Sequence, residues 1–180
     1  TVLIILATGI VFGFDTWTMF FTQTQPLMRE IMDAPFMQPY QINAATIFVS
    51  MRSFGMGLEQ SYFIQGLFAV ACIVYGMWIW RKGSNMDHRI RVAISCVLVL
   101  LSTPYGYTYD LIPLSVAIGI FYALLPRLKL PLLFALIWLS PAFNHTIVLK
   151  SAINHVAFIT LALLGLMIWS LKKSDTILAD

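Results

Sequence analysis

The sequence predicts an all-α fold, a polytopic transmembrane helical bundle of about six spans with two short interfacial helices on its outward side. Three observations predict it. Hydrophobic residues make up 59% of the 180 and charged residues 11%, where soluble domains carry about 25% charged residues. Mean hydropathy is +0.83. The Lys and Arg residues gather in alternate links between apolar runs, as in a chain that crosses a membrane back and forth. A net charge of +3 is too small and too dispersed to mark a nucleic-acid partner.

The elements follow in order. "TVLIILATGIVFGF" reaches only about 21 Å as a helix at about 1.5 Å per residue, short of a hydrocarbon core of about 30 Å. It carries no charged leader and no small-residue cleavage site. It reads as the tail of a span, and the chain as the C-terminal part of a longer protein. "DTWTMFFTQTQPLMREIM" reads as a helix lying in the interface. Trp17 sits at headgroup depth, Asp15 or Thr16 is available as a cap, and Pro26 is expected to break or kink it. "NAATIFVSMRSFGMG" reads as a second short helix ended by glycines. These two make residues 15–60 an outward segment, a vestibule beside the lipid. Spans are expected near 61–80, 90–103, 110–125, 130–143 and 152–171, so that 61–171 forms the bundle of a single membrane domain. Cys72 and Cys96 lie inside apolar runs and read as buried small hydrophobes.

Sidedness comes from the basic residues. Arg81, Lys82, Arg89 and Arg91 fall in one link, Arg127 and Lys129 in another, and Lys172 and Lys173 in the tail. The opposite links, 15–60, "STPYGYTYD" (102–110) and "SPAFNHTIVLKS" (140–151), hold only Arg29, Arg52 and Lys150. The positive-inside rule then makes the C-terminus cytoplasmic and "STPYGYTYD" outward, in a plasma or inner membrane.

The polar residues of the outward side are the candidates for chemistry. Asp110 sits at the outer mouth of a span, where a carboxylate must be solvated, paired or used. It reads as the N-cap of the helix that follows, with Pro113 tolerated in its first turn, or as a functional group, and the two roles are compatible. Tyr105, Tyr107 and Tyr109 alternate and would share one face of an extended link. They form either an interfacial aromatic belt or a wall that stacks a sugar or prenyl chain. Arg52 stands on an otherwise apolar short helix, either snorkelling to water or forking onto a phosphate. Gln65, near the outer end of its span, can hydrogen-bond another helix. Arg29 beside Glu30 reads as a solvated pair. His145 and His155 lack a second ligand at metal spacing, so no metal site is expected. There is no phosphate-binding glycine loop, nucleophile elbow or paired-cysteine motif.

Four pieces, in order, carry a family resemblance: "FGFDTWTMF" (12–20), "NAATIFVSMRSFG" (43–55), Gln65, and "LLSTPYGYTYDL" (100–111). Together they resemble the glycosyltransferase family 87 group of membrane proteins, which includes polyprenyl-phosphate-mannose-dependent mannosyltransferases. The last piece is similar to the family's (T/S)PY…YDL signature, and Arg52 and Gly55 match its arginine-to-glycine run. The usual serine at the start of that run is replaced here by Asn43 or Ala44. The resemblance covers about residues 10 to 120.

It implies a GT-C fold with its site on the outer face and a polyprenyl-phosphate sugar as donor. The acceptor would be a lipid-linked or envelope glycan, and no separate cofactor is implied. It places the general base on a carboxylate upstream of Thr1, so that these 180 residues alone would be inactive. Arg52 is then expected to meet the donor phosphate with tyrosine hydroxyls beside it, and Asp110 to orient this shell. Two rival readings stand beside this one. One is a transporter or flippase of lipid-linked sugars, although the charges lie at span ends and not at mid-span. The other is a non-catalytic membrane assembly partner.

Overall fold

The computed structural model describes residues 2–81, 86–124 and 131–177, and regular structure in them is helical. Lys82, Arg127 and Lys129, and the side chains of Lys172 and Lys173, lie outside the described residues. The chain divides into two compact units, Thr1–Pro35 and Phe36–Asp180.

In the first unit α1 (Val2–Phe12) is apolar on every side, and most of its side chains are exposed. It stops at Gly13, whose φ of +87° is left-handed backbone that favours glycine. The helical stretch Asp15–Asp33 then leaves at 108° to α1. The expected cap by Asp15 or Thr16 is not made; the Thr16 hydroxyl instead donates back to the Phe12 carbonyl (3.1 Å). Trp17 Nε1 donates to Thr8 Oγ1 (3.2 Å) across the bend. Pro26 does not break the helix. Between α2 (Asp15–Met19) and α3 (Gln25–Asp33) the chain passes through a π segment, Phe20–Thr24. A widened turn of this kind lets a helix pass a residue that has no N–H to give. Trp17, Phe20 and Phe21 form one ring cluster on this stretch. Arg29 pairs one turn along, with Asp33 (3.6 Å), not with Glu30.

The second unit is a bundle of five helices that run alternately up and down: α6 (Leu58–Ile79), α7 (His88–Ser102), α8 (Ile112–Leu124), α9 (Pro131–Ser151) and α10 (Val156–Ile177). Two shorter helices, α4 (Pro39–Ile42) and α5 (Ile47–Ser53), precede it. The bundle centres on α7, which packs against α6, α8 and α10. Its buried stripe of Ala93, Ile94, Val97, Leu98 and Leu101 meets Leu114, Ala117 and Phe121 of α8 and Leu163 and Met167 of α10. The small residues Ala93 and Ala117 let these backbones approach. The outer stripe of α6 (Phe63, Leu67, Val70, Val74 and Met77) is exposed and apolar, as a lipid-facing surface is.

Two described helices, α6 and Leu132–Ser151 of α9, are long and apolar enough to cross a membrane, and the bent pair of the first unit would make a third. This is fewer than the sequence suggests. The 15 residues of α7 and 13 of α8 reach only about 22 and 20 Å at about 1.5 Å per residue. α9 is longer than its expected span, since "SPAFNHTIVLKS" is helix and not a link. Pro141 sits inside it. The Ile137 carbonyl that Pro141 cannot bond accepts the Ser140 hydroxyl instead (2.8 Å). α9 ends in a left-handed residue, Ala152 (φ 58°), whose N–H returns to the Val148 carbonyl (2.8 Å).

Candidate functional site

The up-and-down order brings the start of α6, the end of α7, the start of α8, the end of α9 and the start of α10 to one end of the bundle. Two irregular stretches lie there, residues 43–46 and 103–107. They pair as a short antiparallel bridge between Ala44 and Tyr107. Ala45 N–H donates to Gly106 O (2.8 Å) and Thr108 N–H to Asn43 O (2.9 Å).

The bridge sets the shape of the tyrosine loop. Thr103 Oγ1 accepts from Tyr105 N–H (3.1 Å) and donates to Tyr105 O (2.7 Å), closing a tight turn around Pro104. Tyr107 is extended, and Thr108–Leu111 is then a 3-10 turn leading into α8. The loop is therefore not one extended strand with three tyrosines on a face. Tyr107 and Tyr109 stack in parallel instead, with centroids 5.2 Å apart and planes 13° apart. Tyr109 and Tyr105 are exposed and Tyr107 is half-buried. Asp110 Oδ2 accepts from Tyr107 N–H (2.9 Å), so the carboxylate closes the 3-10 turn from inside it and does not cap α8 from in front. Pro113 does fall in the first turn of α8. Burial first, and then the neighbouring Tyr109 and Asp110, push the Tyr107 phenol up, so it remains a protonated donor at neutral pH.

On the other side of the bridge, Thr46 caps α5 by accepting from Val49 N–H (3.2 Å). Arg52 is in the last turn of α5, about 9 Å further along at about 1.5 Å per residue. It is half-buried, and its Nη1 donates to Met56 O (3.1 Å) beyond Gly55, whose φ is +79°. The bridge thus joins the tyrosine loop to the start of the arginine helix, with Arg52 at that helix's far end.

Gln65 has a different place from the one its polarity suggests. It is buried, its Oε1 accepts from Phe48 N–H (2.9 Å), and its Nε2 donates to Leu101 O (3.0 Å). One amide thereby ties the orphan N–H of α5's first turn to the orphan carbonyl of α7's last turn. Both ends of the Gln65 amide are therefore engaged on backbone groups.

Three residues that the sequence analysis did not single out for this role hold the same segment from behind. Asn144 of α9 donates to Ile42 O (2.8 Å). Asn154, just before α10, donates through its side chain to Ala44 O and through its N–H to Ser53 Oγ (3.1 Å). His145 Nδ1 lies 3.2 Å from Asn43 Oδ1, and as a donor in its Nδ1–H form it ties α9 to the same segment. The readable signal was two asparagines ten residues apart in a strongly apolar region. An amide there is costly unless bonded.

Burial pushes the His155 imidazole down from the usual 6.5, with the Ser140 carbonyl pulling the other way. Its Nδ1 and the Oδ1 atoms of Asn144 and Asn154 are buried with no partner among the described residues. An apolar groove of about 180 Å³ lies elsewhere, between α6 and α7, lined by Cys72, Gly76, Ser95, Leu98 and Ser102. No group of three metal-ligating side chains occurs among the described residues.

Comparison with protein-family models, with characterised proteins and with solved structures gave no match.

Two outcomes follow from this geometry. Replacing Gln65 with Leu strands a buried N–H and a buried carbonyl and should lower unfolding stability in detergent by about 2–4 kcal/mol. Gln65→Glu, which keeps an acceptor for Phe48 but loses the donor to Leu101, should fall between. His155 is favoured neutral in the fold, so the unfolded chain binds the extra proton first and stability should drop as pH falls below about 6.5. His155→Gln should flatten that part of the stability profile, measured by thermal unfolding between pH 7.5 and 5.

Proposed function

We propose that the chain belongs to a membrane glycosyltransferase that moves a hexose, mannose by the family resemblance, from a polyprenyl-phosphate sugar to a lipid-linked or envelope glycan. The observation that carries the reading is the backbone bridge between Ala44 and Tyr107. It seats the segment leading into the arginine helix against the (T/S)PY…YDL-like loop, two of the four pieces on which the resemblance rests.

The chemistry suits that end of the bundle. The acceptor oxygen bonds to the anomeric carbon as the bond from that carbon to the phosphate oxygen breaks. The electron pair leaves with the prenyl phosphate, and the acceptor's proton passes to a carboxylate base, for which the resemblance points upstream of Thr1. The departing phosphate gains charge and needs fixed donors. Arg52 supplies a charged fork once it exchanges the Met56 carbonyl for phosphate oxygens. The stacked Tyr107 and Tyr109 offer an aromatic face to a sugar ring and phenol donors to its oxygens. Asp110 has its second oxygen free of the Tyr107 bond and can accept from a sugar hydroxyl. The segregation of basic residues into alternate links supports placing this end outward, with the C-terminus on the cytoplasmic side of a plasma membrane.

The test is Arg52→Ala in the full-length protein, assayed with purified prenyl-phosphate sugar and acceptor. Turnover should fall by about 10²–10³, the loss typical of a group that stabilises charge developing in the transition state. Unchanged donor affinity and turnover would remove Arg52 from the site, and lipid crossing without sugar transfer would replace the whole reading with transport.

A further inference from the structure

The opposite end of the bundle carries a second arrangement that the reading above does not use. We propose that Arg81 and Arg91, held on the tryptophans at the α6–α7 end, bind the phosphate of an anionic phospholipid.

The Arg81 guanidinium lies over the Trp78 ring (5.2 Å) and that of Arg91 over the Trp80 ring (5.3 Å). Both rings are themselves fixed. Trp80 Nε1 donates to Ser95 Oγ of α7 (2.8 Å), and His88 meets the ring edge-on at 5.3 Å. Trp78 stacks on Tyr75, one turn back on α6, at 5.6 Å and 18°. A guanidinium held over an indole face by cation–π attraction is confined in place while its planar fork of N–H donors remains available to an anion. Those donors match two oxygens of a phosphate.

Among the described residues the positive charge at this end exceeds its carboxylate partners. Arg89 is paired with Asp87 (3.0 Å), which also caps α7 by accepting from Arg89 N–H (2.7 Å). Among the described residues no carboxylate pairs with Arg81 or Arg91, and Arg91 Nε is buried without an acceptor. Two preorganised cations therefore await an anion.

Position identifies the occupant. α6 is one of the two helices long and apolar enough to cross a membrane, and it ends at Ile79. Trp78, Trp80 and the two arginines thus sit where a span meets the headgroups, the depth at which tryptophan and arginine anchor. A phosphate bound there is presented by lipid. An anionic headgroup is favoured over a zwitterionic one, because its net negative charge meets two arginines that no described carboxylate pairs with.

The test is native mass spectrometry of the chain in neutral detergent with phosphatidylglycerol or phosphatidylcholine added, and with inorganic phosphate as a separate arm. Phosphatidylglycerol adducts should form in preference, should weaken as salt is raised, and should fall about fivefold for each of Arg81→Gln and Arg91→Gln. Arg91→Lys, which keeps the charge and loses the planar fork, should sit between wild type and Arg91→Gln. Equal retention of the two lipids would overturn the proposal. So would phosphatidylglycerol binding unchanged in the double variant, or inorganic phosphate displacing the lipid at millimolar concentration. The lipid preference and its salt dependence are read on the unmodified chain, so the proposal stays testable if the variants fail to fold.

Discussion

Irregular backbone beside an apolar bundle must have its N–H and C=O groups satisfied, and that constraint organises the tyrosine end of this protein. Residues 42–46 leave a short helix, run extended and enter another, so they can make few bonds of their own. Neighbouring parts of the chain supply them. The tyrosine loop gives two backbone bonds, Gln65 takes the Phe48 N–H, and Asn144 and Asn154 take the Ile42 and Ala44 carbonyls. Each partner comes from a different element, so one short segment fastens α6, α7, α9 and the start of α10 together. In a low-dielectric setting such a network is strong when complete and costly when broken.

The same constraint explains which parts were legible in the sequence. The helices showed as apolar runs, and the irregular loop showed through Pro104 and Gly106. Gln65 showed as a polar residue near a span end, but its partners could not be read, because Phe48 N and Leu101 O are backbone groups with no sequence signature. Asn144 and Asn154 were hidden differently. Asn144 helped residues 140–151 resemble a link, when α9 continues through them and its amide bonds the Ile42 carbonyl. Asn154, expected inside a span, instead precedes α10 and bonds the Ala44 carbonyl. The helix survives Pro141 because Ser140 takes over the stranded carbonyl, and survives Pro26 because the turn widens before it. Both are local repairs that a proline rule overlooks. Alternation of three tyrosines suggested a common face. The 3-10 turn after Tyr107, fixed by Asp110, left a stacked pair instead.

The two ends of the bundle divide the polar work. The tyrosine end has Arg52, the tyrosines, Asp110 and His145 around a hydrogen-bonded backbone seam. The other end has arginines placed over tryptophan rings beside an acid-capped α7. There the Asp87 carboxyl is held below its usual range by hydrogen bonds from the Arg89 side chain and backbone.

The central claim is the seam between Ala44 and Tyr107, and a cross-link reads it directly. Opposed residues in this bonding pattern have Cα atoms about 4.5 Å apart, within disulfide range. In a chain with Cys72 and Cys96 changed to Ala, Ala44→Cys with Tyr107→Cys should close a disulfide on mild oxidation, detected by peptide mass. Ala44→Cys with Tyr109→Cys should close far more slowly. Absence of the first cross-link, or equal rates for both pairs, would contradict the account.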